Sequence, residues 1–263
     1  MALEKHRAVV VRTIKYGETS KIVTLYSQNS GLIKLVAKGA RTSKSRLSGI
    51  LEPLNVVEVI FYHKVQRELH TLNQASIIFS PIRLRMDAED ALLALACCEI
   101  ITRVQMLHDE NAQVYHLLEA AISVLNSSKA ETRRIYFLTF QLQLLRALGL
   151  DPGFSKCSHC ASEGSTVWNY DFRHARIYCE NCRDLGKKEE LSNELRAALN
   201  YLLHVEINQI ENPEKLVIYQ KGIYLFLLQF YKFHLEEMLN LKSLAVLQKM
   251  KNMQKEWLRS ETM

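Results

Sequence analysis

The sequence predicts an α+β protein: an N-terminal OB-type β-barrel, an α-helical bundle, and a four-cysteine knuckle inserted into that bundle. Three observations predict this. Residues 1–80 are rich in β-branched residues, often alternating with polar ones, between turn signals. Past Pro81 the apolar spacing becomes helical. Two Cys-x-x-Cys pairs then interrupt the helical part, at Cys157/Cys160 and Cys179/Cys182. The expected domains are 1–80 (barrel), 81–150 with 187–263 (helical domain) and 151–186 (knuckle).

Strands are expected at 6–13, 21–27, 31–38, 56–63, 68–72 and 74–79, set apart by Gly17, Gly31, Gly39, Gly49 and Pro53. So many short strands in so few residues favour a closed barrel, which leaves no long edge exposed. An OB-type barrel leads and an SH3-like barrel is the alternative, with a short helical turn within 43–53 before the fourth strand. Asp87 then caps a helix over 86–107, with Glu89 and Asp90 in its first turn. Helices follow at 110–126 and 131–148, the latter closed by Gly149. Further helices fall near 192–206, 215–236 and 241–257, of which the second is apolar nearly all round and is expected at the centre of the bundle. No apolar run approaches the ~18 residues of a membrane span, and the chain reads as cytoplasmic with reduced cysteines.

The net charge of +6 is unevenly placed. Residues 1–80 carry 12 Lys/Arg against 5 Asp/Glu, whereas the rest carry 22 against 23. Within 10–46 there are 8 basic residues and one acid, Glu18. Solubility does not require such asymmetry, and a polyanionic partner explains it. Lys15, Lys21, Lys34, Lys38, Arg41, Lys44 and Arg46 are the candidate nucleic-acid contacts. Phosphate neutralisation by such residues releases counterions and reads little sequence. Tyr16, Tyr26 and Tyr62 are either stacking faces for bases or barrel core, with Tyr26 assigned to the core.

Each Cys-x-x-Cys places two thiolates on one tight turn, and 18 residues separate the pairs, enough for a hairpin of "VWNYDF" and "ARIYC" to bring them together. One structural Zn²⁺ held by Cys157, Cys160, Cys179 and Cys182 is the expected cofactor, with disulfides or a redox pair as alternatives. Four protein ligands close the coordination shell to a catalytic water. A second basic group on the knuckle (Arg173, His174, Arg176, Arg183, Lys187, Lys188) is largely cancelled by neighbouring acids. No GxxxxGK[ST], GxSxG or HExxH occurs; "HDE" at 108–110 matches half of a deaminase signature, but no proline precedes Cys157 and a deaminase would leave Cys179 and Cys182 unused. The chain is therefore expected not to be an enzyme.

The series Gly17-Glu18-Thr19-Ser20, Gly31, Lys38-Gly39-Ala40-Arg41, Ser45-Arg46, Pro53 and Leu148-Gly149 leading into Cys157 resembles the RecO family of bacterial recombination-mediator proteins, over essentially the whole chain. The resemblance implies an OB fold, a helical domain and a zinc knuckle, without substrate turnover. It implies binding of single- and double-stranded DNA, annealing of complementary strands, and action with a RecR partner to help RecA displace the single-strand-binding protein. It further implies contact with that protein's acidic tail, for which "RRIYFLTF" offers Arg133, Arg134, Phe137 and Phe140. A core helix with exposed arginines is the alternative for this stretch. For the chain as a whole, the alternative function is a protein–protein adaptor whose basic barrel docks an acidic partner.

Overall fold

The computed structural model describes residues 2–63, 67–183, 189–238 and 240–261. Two compact units are present, Met1–Ser127 with Asn240–Met263, and Ser128–Leu239.

The first unit starts with five strands: β1 (Ala2–Tyr16), β2 (Ser20–Ser27), β3 (Gly31–Ala37), β4 (Val56–His63) and β5 (Leu69–Phe79). They close in the order β1-β2-β3-β5-β4. All neighbours are antiparallel except β3 and β5, which run parallel over Lys34–Val36 and Leu69–Thr71. This is the OB arrangement, and it settles the choice against an SH3-like barrel. The two expected strands at 68–72 and 74–79 are one strand, with irregular register near Asn73 that preserves the pairing with β4.

Alternation sends Ala8, Val10, Val23, Leu25, Ile33, Leu35, Val57, Val59 and Phe61 into the barrel, where all are buried. Helix α1 (Leu47–Ile50) packs Leu47 and Ile50 against this core. Gly31 turns β2 into β3 at φ +56°, and a Cβ there would lie 2.0 Å from the Asp109 carbonyl oxygen. Both the dihedral and the close approach demand glycine.

Helices α2 (Ala88–Val104) and α3 (Ala112–Ser127) lie against β1, and α8 (Lys242–Glu261) lies against α2. Asp87 caps α2 as expected, accepting the Asp90 N–H at 3.0 Å. Tyr26 points out of the barrel into this helical layer, where its hydroxyl donates to Gln105 Oε1 at 3.0 Å. It is fully buried, though between the barrel and the helices rather than in the barrel core to which the sequence assigned it. The Glu99 carboxylate accepts the N–H groups of Lys242 and Ser243 and thereby caps the start of α8.

The second unit holds α4 (Arg133–Ala147), the strands β6 (Val167–Asp171), β7 (Arg176–Cys179) and β8 (Glu189–Ser192), then α5 (Asn193–His204), α6 (Pro213–Leu216) and α7 (Gln220–His234). The sheet order is β7-β6-β8. The hairpin β6–β7 falls where its alternation predicts. Strand β8 carries Glu189 and Glu190 and has no apolar alternation to announce it. The helix expected over 215–236 is broken: Val217–Tyr219 forms a 3₁₀ turn between α6 and α7. One side of α7 is core, through Ile223, Phe226, Leu227, Phe230 and Tyr231, but Tyr224, Leu225 and Phe233 are exposed. The helix is therefore not enclosed on all sides.

Candidate nucleic-acid interface and four-cysteine centre

The seven basic residues picked from the sequence do not all share one side of the barrel. Strand β1 changes its alternation at a bulge: Val10 pairs with Leu25, but Arg12 pairs with Thr24. Val11 is the extra residue, and every later side chain of β1 is moved to the opposite face. Three outward rows result on β1–β2–β3. The first is Arg12–Thr24–Lys34, the second Ile14–Ile22–Val36, and the third Tyr16–Ser20, next to the end of β3 where Lys38 follows. Arg12, Ile14, Tyr16 and Lys38 are exposed. Arg12 belongs to the basic 10–46 stretch but draws no attention without the bulge.

Lys15 and Lys21 face each other with the opposite alternation, at the end of the barrel. Lys15 is exposed. The Lys21 ammonium lies 2.9 Å from Glu52 Oε1 and 3.4 Å from the Ser48 carbonyl, with only 13% of its side chain accessible. It ties α1 and the residues after it to β2. Lys34 lies 3.6 Å from Glu68, with both side chains substantially exposed, an arrangement worth little in water and easily displaced by a phosphate.

Lys38, Arg41, Lys44 and Arg46 are all exposed on the segment joining β3 to α1. Arg41 fixes the shape of this segment. Its Nη1 donates to the carbonyls of Gly17 (3.1 Å) and Glu18 (3.0 Å), and its backbone N–H donates to Thr19 O (2.8 Å). The β1–β2 turn and the basic segment are thus clasped together through backbone carbonyls, and among the described residues no side chain of this segment forms an ion pair with the Glu18 carboxylate. Tyr62 is also exposed, but it lies on β4 opposite Leu3, away from the three outward rows.

On the opposite rim of the barrel, Glu4 joins two imidazoles, with Oε2 3.2 Å from His6 Nε2 and Oε1 2.6 Å from His63 Nδ1. Burial lowers the pKa of His6, and Glu4 only partly offsets this. His6 Nδ1 completes the chain at 2.8 Å from Ser27 Oγ.

In the second unit, the sulfurs of Cys157, Cys160, Cys179 and Cys182 all lie within 4.8 Å of one another. The Cys160–Cys179 separation is 3.6 Å. A tetrahedral ion with metal–sulfur bonds near 2.3 Å needs sulfurs about 3.8 Å apart, so the four thiols fit such an ion. The first turn is closed by the Cys157 N–H on Ser162 O (2.8 Å) and the Ala161 N–H on Cys157 O (2.9 Å). It is joined to β7 by the Ser158 N–H on Ile177 O (2.8 Å). Burial pushes the Cys157 thiol up, but the N–H groups of Cys160, Cys179 and His159 outweigh it and bring the value to about 6, whereas burial and the neighbouring thiols hold Cys179 and Cys182 above the ordinary thiol value. His159 is exposed, as are Arg173, His174, Arg176 and Arg183 around the hairpin, while Lys187 and Lys188 lie outside the described residues.

Phe137 and Phe140 are buried in α4, Phe140 completely, and Arg134 is exposed beside them while Arg133 is half-buried. The phenyl rings are part of the core of the second unit. Among the described residues no helix is long and apolar enough to cross a membrane.

Comparison with known proteins agrees with this architecture. Residues 1–81 match the family described as "Recombination protein O N terminal", and residues 85–245 match "Recombination protein O C terminal". The chain is 35% identical to the DNA repair protein RecO of Salinibacter ruber over 155 residues, which span 59% of this chain and 59% of that protein. It is 32% identical to that of Chlorobium limicola over 153 residues, 58% of each chain. The DNA repair protein RecO of Alkaliphilus metalliredigens is 26% identical over 248 residues, 94% of this chain and 99% of that protein. With both family segments matched in order, this chain belongs to the RecO family of DNA repair proteins.

Proposed function

We propose that the chain is a non-enzymatic mediator of recombination that binds single- and double-stranded DNA with little sequence preference and anneals complementary strands. One observation carries this reading: exposed Lys38, Arg41, Lys44 and Arg46 stand on a single acid-free segment beside the outward rows holding Arg12 and Lys34, with Glu68 beside Lys34 and Glu18 on the turn that Arg41 clasps as the acids near them. Annealing brings two polyanions together. Cations on short strands and a clasped segment neutralise phosphates while leaving base edges free to pair. Lys15 adds to the same end of the barrel. Lys21 contributes by holding α1 in place through Glu52.

Family membership supports the rest of the reading: a RecR-like partner, help to RecA in displacing the single-strand-binding protein, contact with that protein's acidic tail through the helical residues near Arg134, and a cytoplasmic, nucleoid-associated location. The converging thiols of Cys157, Cys160, Cys179 and Cys182 would hold one structural Zn²⁺, which with four protein ligands would leave no open position for a catalytic water.

The test is a strand-annealing assay with two complementary oligonucleotides, bare or coated with single-strand-binding protein. The expected result is faster annealing in both cases, suppressed by rising salt. A chain that binds repair proteins but neither binds nor anneals DNA at low salt is an adaptor, and the proposal fails.

A further inference from the structure

Helix α1 has four residues and no side-chain cap at its start, which is too short to hold its shape unaided. Its last carbonyls are held instead by one buried amide. Asn55 Nδ2 donates to Gly49 O (2.9 Å) and Ile50 O (3.0 Å). On the other side of this amide, Oδ1 accepts from Ser80 Oγ (2.9 Å) and Arg85 Nη2 (2.8 Å). Arg85 also donates from Nη1 to Ser80 Oγ (2.8 Å) and from Nη2 to Pro53 O (3.0 Å). A flipped amide would turn its N–H groups towards the guanidinium and its oxygen towards two carbonyls. The Asn55 side chain therefore has one orientation, and the Arg85 fork sets it.

The backbone of the same residue reaches β1. Val10 N–H donates to Asn55 O (2.9 Å), and Leu54 N–H donates to Val10 O (2.9 Å). These bonds stand immediately before the bulge at Val11, which turns Arg12 outward. Leu54 takes φ +76°, a left-handed conformation rare for a bulky aliphatic residue. Such a conformation persists only where the surrounding structure imposes it. Fully buried Asn55 thus links two groups of cations: Lys38, Arg41, Lys44 and Arg46 lead into α1, and Arg12 follows the bulge.

We propose that Asn55, oriented by Arg85, is a positioning residue for DNA binding: it fixes α1 and so holds Lys44 and Arg46 in register with the cations of the barrel. The inference rests on the DNA-binding reading above and adds what keeps those cations in one arrangement. Arg85 is exposed, on the 3₁₀ turn Arg83–Arg85 before α2. Loss of its guanidinium takes nothing from the apolar interior of the barrel but releases the amide that holds α1.

The experiment compares the full wild-type chain with Arg85→Ala, Arg85→Lys and Asn55→Asp. It measures the salt dependence of binding to fluorescent oligothymidylate and the hydrogen exchange of backbone amides. Arg85→Lys keeps the charge but not the planar fork that reaches Ser80, Asn55 and Pro53 together. Asn55→Asp keeps the acceptor for Arg85 and loses both donors to α1. Each variant is expected to flatten the log–log salt slope by about 1.4, the loss of two phosphate contacts on a single strand. The N–H groups of Ile50 and Leu51, which bond to Arg46 O and Leu47 O, exchange about tenfold faster once one or two hydrogen bonds are lost. Amides of β2 and β4 keep their wild-type rates. Thermal melting checks that each variant is folded, and the two Arg85 variants decide the matter if Asn55→Asp is not.

A wild-type slope in Arg85→Lys beside a flattened one in Arg85→Ala makes Arg85 itself a phosphate contact and overturns the inference. Wild-type slopes in all variants, with faster exchange in α1, leave Asn55 an anchor of the fold alone and overturn it too. Unchanged exchange at Ile50 and Leu51 does the same. If the wild-type chain binds no oligonucleotide, the DNA reading itself falls, and the inference with it.

Discussion

The barrel and the four-cysteine hairpin are both small β structures, but they are stabilised in different ways. The barrel closes around its own apolar interior, from Ala8 to Leu72, and carries its candidate ligand-binding side chains on the outside. In the hairpin, Cys157 and Cys179 are themselves buried, so the prospective metal ligands are part of its core. Where site and core are separate, the site can be altered without cost to the fold. Where they coincide, loss of the ligand is loss of structure.

The largest effect expected from this difference is at Cys157. With zinc on the four thiols as proposed, Cys157→Ser or a strong chelator would remove an ion whose binding in small zinc domains is worth about 10–16 kcal/mol. The metal content falls, and the unit Ser128–Leu239 loses cooperative unfolding in calorimetry. Retention of the calorimetric transition after complete metal loss would break the comparison. The barrel has no such dependence but is vulnerable to cavities: Phe61→Ala in its interior is expected to cost about 3–5 kcal/mol in denaturant unfolding, with metal content unchanged.

A smaller effect concerns Glu99, which caps α8. Burial raises its pKa, but the N–H groups of Ser243 and Lys242, the Ser243 hydroxyl and Arg103 together hold it below its ordinary value of 4.5. Its folded pKa lies below the unfolded one, so its stabilisation is present above about pH 4.5 and is lost as acid protonates it. Glu99→Gln should cost about 1 kcal/mol near neutrality and flatten the acid limb of the stability–pH curve. His6 has the same sign. Its depressed pKa means that its contribution is full above pH 6.5 and fades on acidification below it.

The smallest effect on stability is expected where the functional effect is large. Lys38→Glu combined with Arg41→Glu should shift the melting temperature by no more than about 2 °C, since exposed side chains contribute little to folding. The salt slope for single-strand binding should fall by about 1.4, from two lost phosphate contacts. A large drop in melting temperature would show that the carbonyls of Gly17 and Glu18 need the Arg41 clasp for folding.

Most of this architecture was legible in the sequence, because the signals are local. Alternation marks β2, β3 and β4, Asp87 marks the start of α2, and the doubled Cys-x-x-Cys marks the centre in which four sulfurs converge. What escaped depends on partners distant in the chain. The bulge at Val11 is set by pairing with β2, and it alone turns Arg12, Ile14 and Tyr16 outward and Lys15 the other way. Read without the bulge, the basic residues look like one cluster. In the fold they divide between the outer face, the barrel end and the segment before α1. Likewise, nothing local shows that Lys21 meets Glu52, 31 residues on, or that charged β8 completes the sheet beside β6.

The most direct measurement is a salt titration of the chain's affinity for a fluorescent single strand. Neutralisation of phosphates by the basic segment and outer face predicts a log–log slope of about −3, corresponding to roughly four contacts. Affinity indifferent to salt, or no binding even at low ionic strength, would contradict the assignment of this barrel to DNA.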